Sequence, residues 1–214
     1  MLDPAAPAVP GPVVGFDLDL TLIDTVPGFA AVLEALGEEL GVRFPVASMT
    51  SRLGPPLETL LAPYLPKDRV GPAGDRFREL YPALAVTSVP ALPGAHEALA
   101  AVRAAAGRTL VVTGKYAPNA QRHLDHLALD VDLLEGWVWG VGKADALRRE
   151  GAVMYVGDHV HDVEGARAAG VLSVSVPTGG CTAEELLAAG TDVVLDSLLD
   201  FPEWFAGHLG RESA

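Results

Sequence analysis

Several polar side chains in this 214-residue chain stand where buried strands should end. In "GPVVGFDLDLTLIDT", residues 11–25, the apolar run Val13-Val14-Gly15-Phe16 stops at Asp17, followed by Asp19 and Thr21. The run "RTLVVTGK" ends on Thr113, with Gly114 next. "AVMYVGDHVHD" places Asp158 just past another apolar run and Asp162 four residues later, and Lys143 opens the helical stretch before that run. Gathered at one edge, such carboxylates would raise one another's pKa. A bound divalent cation would offset that repulsion. Oxygen ligands without clustered cysteines favour Mg²⁺ over zinc.

These groups come together only if the strands are parallel neighbours. Short β-rich runs recur at 13–17, 108–113, 152–157, 171–176 and 192–195. Helical patterns fill the intervals at 94–106, 117–128, 142–150 and 160–169. Continuous apolar strands alternating with helices imply an α/β fold, a doubly wound parallel sheet covered on both faces. In such a sheet ligands bind at the carboxyl ends of the strands. Residues 24–92 break the alternation, with helical patterns at 26–41, 57–64 and 68–84 separated by Pro and Gly. The expected organisation is a disordered N-terminal arm at 1–12, a core of 13–23 and 93–214, and an inserted helical subdomain at 24–92, entered around Ile23–Thr25 and left around Pro90–Pro93.

"FDLDLTLID" resembles the DxDxT motif of the haloacid dehalogenase superfamily. "VVTGK", Lys143 in "GKADAL" and "VGDHVHD" resemble its second, third and fourth motifs, in the family's order, from about residue 13 to about 195. Phosphoglycolate-phosphatase-like members are the most similar. The resemblance implies a Rossmann-type core with a helical cap at 24–92, and an Mg²⁺-dependent phosphatase acting on a small phosphorylated metabolite through an aspartyl-phosphate. It makes Asp17 the nucleophile and Asp19 the general acid/base, steadied by Thr21. Thr113 and Gly114 would meet the phosphoryl group, and Lys143 would offset charge between phosphate and Asp17. Asp17, Asp158 and the backbone carbonyl of Asp19 would hold the metal, and Asp162 would support that shell. The sequence departs from the family's commonest pattern at Leu20, where Gly is frequent, at Gly114, where Asn is frequent, and at His159, where small residues are common.

Other features carry two readings each. Arg52, in "TSRLGPPLE", either reaches an anionic group of the substrate or lies on the cap surface. Trp137 and Trp139 read as an edge strand or loop with rings packed on the core, or as a platform for an aromatic substrate. His123 and His126 read as surface residues. "HVHD" lacks the spacing of a binuclear zinc site. A phosphosugar mutase of the same family is an alternative function, as is a non-enzymatic phospho-acceptor or scaffold.

The net charge of −13 and the lack of a Lys/Arg-rich run argue against nucleic acid as a partner. Nothing in the sequence reads as a secretory signal or a membrane span, so the cytoplasm is the expected location. Cys181 is the sole cysteine and forms no internal disulfide. The oligomeric state is not written in the sequence.

Overall fold

A computed structural model describes residues 11–51 and 53–212. Residues 1–10 of the expected arm lie outside the described residues, as does Arg52.

Six parallel strands form one sheet: β1 (Val13–Phe16), β2 (Arg108–Val112), β3 (Leu133–Glu135), β4 (Ala152–Gly157), β5 (Leu172–Ser175) and β6 (Val193–Val194). Their order is β3-β2-β1-β4-β5-β6, so the direction of winding reverses between β1 and β4. That reversal opens a crevice at the strands' carboxyl ends, the place where doubly wound sheets of this order bind ligands. β1 runs in register with β2 from Val13–Arg108 to Phe16–Val111, and with β4 from Val14–Met154 to Phe16–Val156. All four residues of β1 are buried, as a central strand covered on both faces requires.

The strand and helix patterns of the core hold to within a few residues. Helices α5 (Ala95–Ala104), α6 (Ala117–His126), α7 (Lys143–Glu150), α8 (Val160–Ala169) and α9 (Ala183–Ala189) follow their strands in turn, and α10 (Phe201–Glu212) closes the fold. Two core elements escaped the sequence reading. Strand β3 is three half-buried residues, too short to show a pattern. Helix α10 opens "FPEWF", where Phe201 and Phe205 are buried and stack 5.1 Å apart.

Between β1 and α5 lie four α-helices: α1 (Val26–Leu40), α2 (Val46–Thr50), α3 (Leu57–Leu61) and α4 (Lys67–Leu84). They bury an apolar cluster of their own around Val32, Leu33, Leu36, Leu61 and Phe77, separate from the clusters on the two faces of the sheet. Each such side chain is worth about 1.5–3 kcal/mol when withdrawn from water. Helix α4 carries Pro72 and Pro82 inside its span. The short α2 had not been anticipated.

The chain enters and leaves this unit on two adjacent links. Asp24 N–H donates to the Pro90 carbonyl and Leu92 N–H to the Leu22 carbonyl, each at 2.9 Å. Leu20, where the family often has Gly, sits at φ +60° within the turn after β1 and is buried against the helical unit. The left-handed backbone explains the family's preference, and burial of the leucyl side chain offsets the strain.

Where the exit link meets α5, Gly94 has φ +89°. A Cβ there would lie 2.3 Å from backbone atoms of Leu198 and Leu199. Gly94→Ala therefore combines left-handed strain with overpacking and should cost about 2–4 kcal/mol in urea unfolding. A loss under about 0.5 kcal/mol would show that this junction relaxes freely.

Candidate active site

The two acids at the crevice are placed by the central strands. Asp17 follows β1 directly and its N–H donates to the Val156 carbonyl at 2.8 Å, tying it to β4. Asp158 follows β4. Asp162 stands on the first turn of α8, where its carboxylate accepts from the His159 N–H and closes a capping box. Carboxylate oxygens of Asp17, Asp158 and Asp162 lie within 4.8 Å of one another. All three are buried or nearly so.

Lys143 makes this cluster tolerable. It opens α7 and is 3% exposed. Its Nζ donates to Asp162 Oδ1 at 2.7 Å and to the Tyr155 hydroxyl at 2.8 Å, and lies 3.1 Å from Asp17 Oδ1. Tyr155 in turn donates to the Val112 carbonyl at 2.6 Å. The ammonium is thus held on three sides, and its carboxylate neighbours raise its pKa although burial alone would lower it. Even so, burial and the repulsion of Asp162 and Asp19 outweigh Lys143 at Asp17, whose pKa is pushed up to about 7. Burial, followed by Asp162 and Asp17, likewise raises Asp158 well above the ordinary carboxylate range. Asp17 Oδ1 is buried yet accepts no well-directed hydrogen bond from the described residues. An oxygen-only cluster with a charge deficit and an unused acceptor fits a hard divalent cation. Asp162 spends its oxygens on Lys143 and the His159 N–H, so Asp17 and Asp158 are the freer ligands.

Asp19 faces a different environment, and its carboxylate is outside that cluster. Lys115 Nζ donates to Asp19 Oδ1 at 2.6 Å, and Thr25 at the start of α1 donates to the same oxygen. Burial would raise the Asp19 pKa, but the charge and hydrogen bond of Lys115 outweigh it and hold the carboxyl below its ordinary range. Two carboxylates two residues apart thereby acquire opposite shifts, because Asp17 shares Lys143 with Asp162 whereas Asp19 has Lys115 to itself. Thr21, expected to steady Asp19, instead donates to Asp158 Oδ1 at 2.9 Å. The turn after β1 directs its hydroxyl toward β4.

Thr113 follows β2 and is buried. Its Oγ1 accepts from the Lys115 N–H at 3.2 Å. The loops after β2 and β3 are joined through Val138 N–H to the Thr113 carbonyl and Trp137 N–H to the Lys115 carbonyl, each at 3.0 Å. Thr113, Gly114, Asp17, Asp19, Lys143, Asp158 and Asp162 all line one chamber, whose roof comes from α1, α3 and α4.

Three expectations change. Lys115 was not singled out for function, although it is one of only three lysines in the chain. Its pairing with Asp19 across 96 residues is visible only in the fold. His123 is fully buried instead of exposed, with Nε2 3.1 Å from the Tyr81 hydroxyl of α4. Tyr81 lies under Lys115, whose Nζ is 4.6 Å from the ring centroid. Trp137 and Trp139 line the chamber instead of packing into the sheet's core.

A family model described as haloacid dehalogenase-like hydrolase matches residues 12–170, and a second, HAD-hydrolase-like one matches 140–201. A phosphoglycolate phosphatase of Caulobacter vibrioides is 31% identical over 218 residues, spanning 90% of each chain. One from Cereibacter sphaeroides is 32% identical over 182 residues, 75% of this chain and 82% of its own. Among solved structures, a haloacid dehalogenase-like family hydrolase from Streptococcus pneumoniae superposes with a TM-score of 0.81 at 25% identity, covering 91% of this chain and 98% of its own.

Burial, reinforced by Lys115, lowers the His123 pKa from 6.5 to about 4. As pH falls below 6.5 the unfolded chain takes up this proton first, so stability is lost between about pH 6.5 and pH 4. His123→Gln removes that titration. In urea unfolding, the wild type should lose up to about 3 kcal/mol more than the variant between pH 7 and pH 4. Parallel pH profiles would show that His123 titrates as it does in the unfolded chain.

Proposed function

This chain belongs to the haloacid dehalogenase-like hydrolases and is a phosphatase of phosphoric monoesters; we propose that it works through a phosphorylated Asp17 with Mg²⁺ as cofactor. The observation that carries the reading is the placement of two carboxylates, each beside its own lysine, Asp17 by Lys143 and Asp19 by Lys115, facing one chamber at the β1/β4 crevice.

In the proposed reaction an Asp17 carboxylate oxygen attacks phosphorus and the bond from phosphorus to the alcohol oxygen breaks. Asp19, entering in its protonated fraction, gives its proton to the departing oxygen, and the Lys115 contact favours the carboxylate that is left. Asp19 then takes a proton from water, the water oxygen attacks phosphorus, and the Asp17–phosphorus bond breaks to release inorganic phosphate. Lys143 and the Thr113 hydroxyl face the phosphoryl oxygens, and Lys143 screens their charge from Asp17. Gly114 contributes backbone only. Asp17 and Asp158 would hold Mg²⁺ with the Asp19 carbonyl, while Asp162 keeps Lys143 in place. When bound, the ion supplies positive charge to the phosphoryl group and the acids around it.

Residues 24–92 act in this reading as a cap on the paired links at Leu22–Asp24 and Pro90–Leu92. Closure would exclude bulk water from the chamber while leaving room for the one water that Asp19 activates. The substrate is a small phosphorylated metabolite. Phosphoglycolate, to which the relatives' names point, is the reference compound.

Phosphate release from p-nitrophenyl phosphate should require Mg²⁺, stop in EDTA and fall with Ca²⁺, whose larger shell disfavours octahedral geometry. Undiminished turnover in excess chelator would refute the metal's role. Asp17→Asn should abolish turnover by about three orders of magnitude or more, as removing a nucleophile does in other covalent hydrolases, while the fold persists. An Asn variant within tenfold of wild type would exclude Asp17 as nucleophile.

A further inference from the structure

The roof and outer wall of the chamber are aromatic. Phe29 of α1 and Phe77 and Tyr81 of α4 face it from the helical unit; Tyr116, Trp137 and Trp139 face it from the loops after β2 and β3. These are six of the chain's thirteen Phe, Tyr and Trp residues, concentrated on one cavity.

Two backbone features are arranged around these rings. At Gly114 a Cβ would lie 2.2 Å from Trp139 Nε1 and 2.6 Å from its Cδ1. The indole therefore occupies the space that a side chain at 114 would need, so position 114 cannot offer the substrate a polar side chain. Trp137 sits at φ +63°, a region that bulky residues rarely enter, and its side chain is half exposed. Its ring is 5.3 Å from Tyr116, and the Arg78 guanidinium of α4 lies 5.1 Å from it.

The charged groups of the chamber complement this. Lys143 serves Asp17 and Asp162, and Lys115 serves Asp19. Arg78 donates to Glu58 at 2.5 Å and to Asp75 at 3.3 Å. Among the described residues lining the chamber, each Lys and Arg already faces a carboxylate. A carboxylate on the substrate's alcohol would have to compete with these acids for the same cations, whereas an uncharged ring would meet aromatic side chains already packed on one another, as Tyr116 is on Trp137.

We propose that the phosphomonoester this site selects carries a planar, uncharged aromatic group on its alcohol, stacked against Trp139 and Tyr116. The proposal rests on the phosphatase reading for its reaction, but the binding preference can be tested without turnover. Titration calorimetry in Mg²⁺ would compare benzylphosphonate with methylphosphonate, neither of which can be hydrolysed at its phosphorus–carbon bond. The benzyl compound should bind at least about tenfold tighter, the scale of one stacked aromatic contact plus its burial. In Trp139→Leu, which keeps an apolar side chain but loses the flat face, that advantage should fall to about threefold or less. Tyr116→Leu, checked like the first variant by circular dichroism, gives the same readout if Trp139→Leu fails to fold. Phosphate release from benzyl phosphate and from phosphoglycolate, both esters of alkyl alcohols, runs in parallel. Equal binding of the two phosphonates, or an advantage untouched in the folded variants, overturns the aromatic subsite even if both esters are hydrolysed. Tight benzylphosphonate binding with no phosphate release from these esters or from p-nitrophenyl phosphate in Mg²⁺ upholds the subsite and refutes the proposed reaction through Asp17.

Discussion

The contact between Lys143 and the carboxylates of Asp17 and Asp162 is the constraint around which this molecule is organised. Three acids within 4.8 Å of one another at the end of a buried sheet would each be driven to hold a proton. One fully enclosed ammonium, tied to Tyr155 and through it to the β2 backbone, allows partial ionisation without relieving the charge completely. The remaining deficit is visible in the raised pKa values of Asp17 and Asp158. It leaves the site matched to a cation and a phosphoryl group together, because each supplies the charge that the other needs nearby.

A second lysine performs a different task on the other side of the chamber. Lys115 pairs with Asp19 and lies over Tyr81, which reaches His123. Asp19 and Lys115 belong to the sheet's edge, Tyr81 to α4 and His123 to α6. The position of one carboxylate thus depends on packing between the helical unit and the core. The paired links after β1 and before α5 keep those two bodies adjacent while each retains its own apolar cluster. A unit with a separate core can shift as a body on such links without unfolding.

Polar and aromatic linings of the chamber are divided along the same line. The polar floor comes from strand ends, whose positions follow from sheet register. The aromatic wall comes from loops and from α1 and α4, where side chains change without disturbing the sheet. Trp139 filling the space above Gly114 is the clearest case of a departure from the family's commonest pattern acquiring a physical reason.

The sequence by itself determined the acids and their setting. Apolar runs ending in Asp17, Thr113 and Asp158 were legible because a central parallel strand must be apolar throughout, so a polar residue at its end stands out. That helices intervene between β1 and α5 was legible for the same reason, in the absence of such runs. The three half-buried residues of β3 left no periodic signal, and the short α2 was missed as well. Only the tertiary structure decided the partners. Thr21 meets Asp158 across 137 residues, Lys115 meets Asp19 across 96, and Tyr81 meets His123 across 42. Spacing along a chain reports which face of one element a residue occupies. Which element stands opposite depends on strand order and on where α4 comes to rest, and a long-range hydrogen bond imposes no local period from which it could be read.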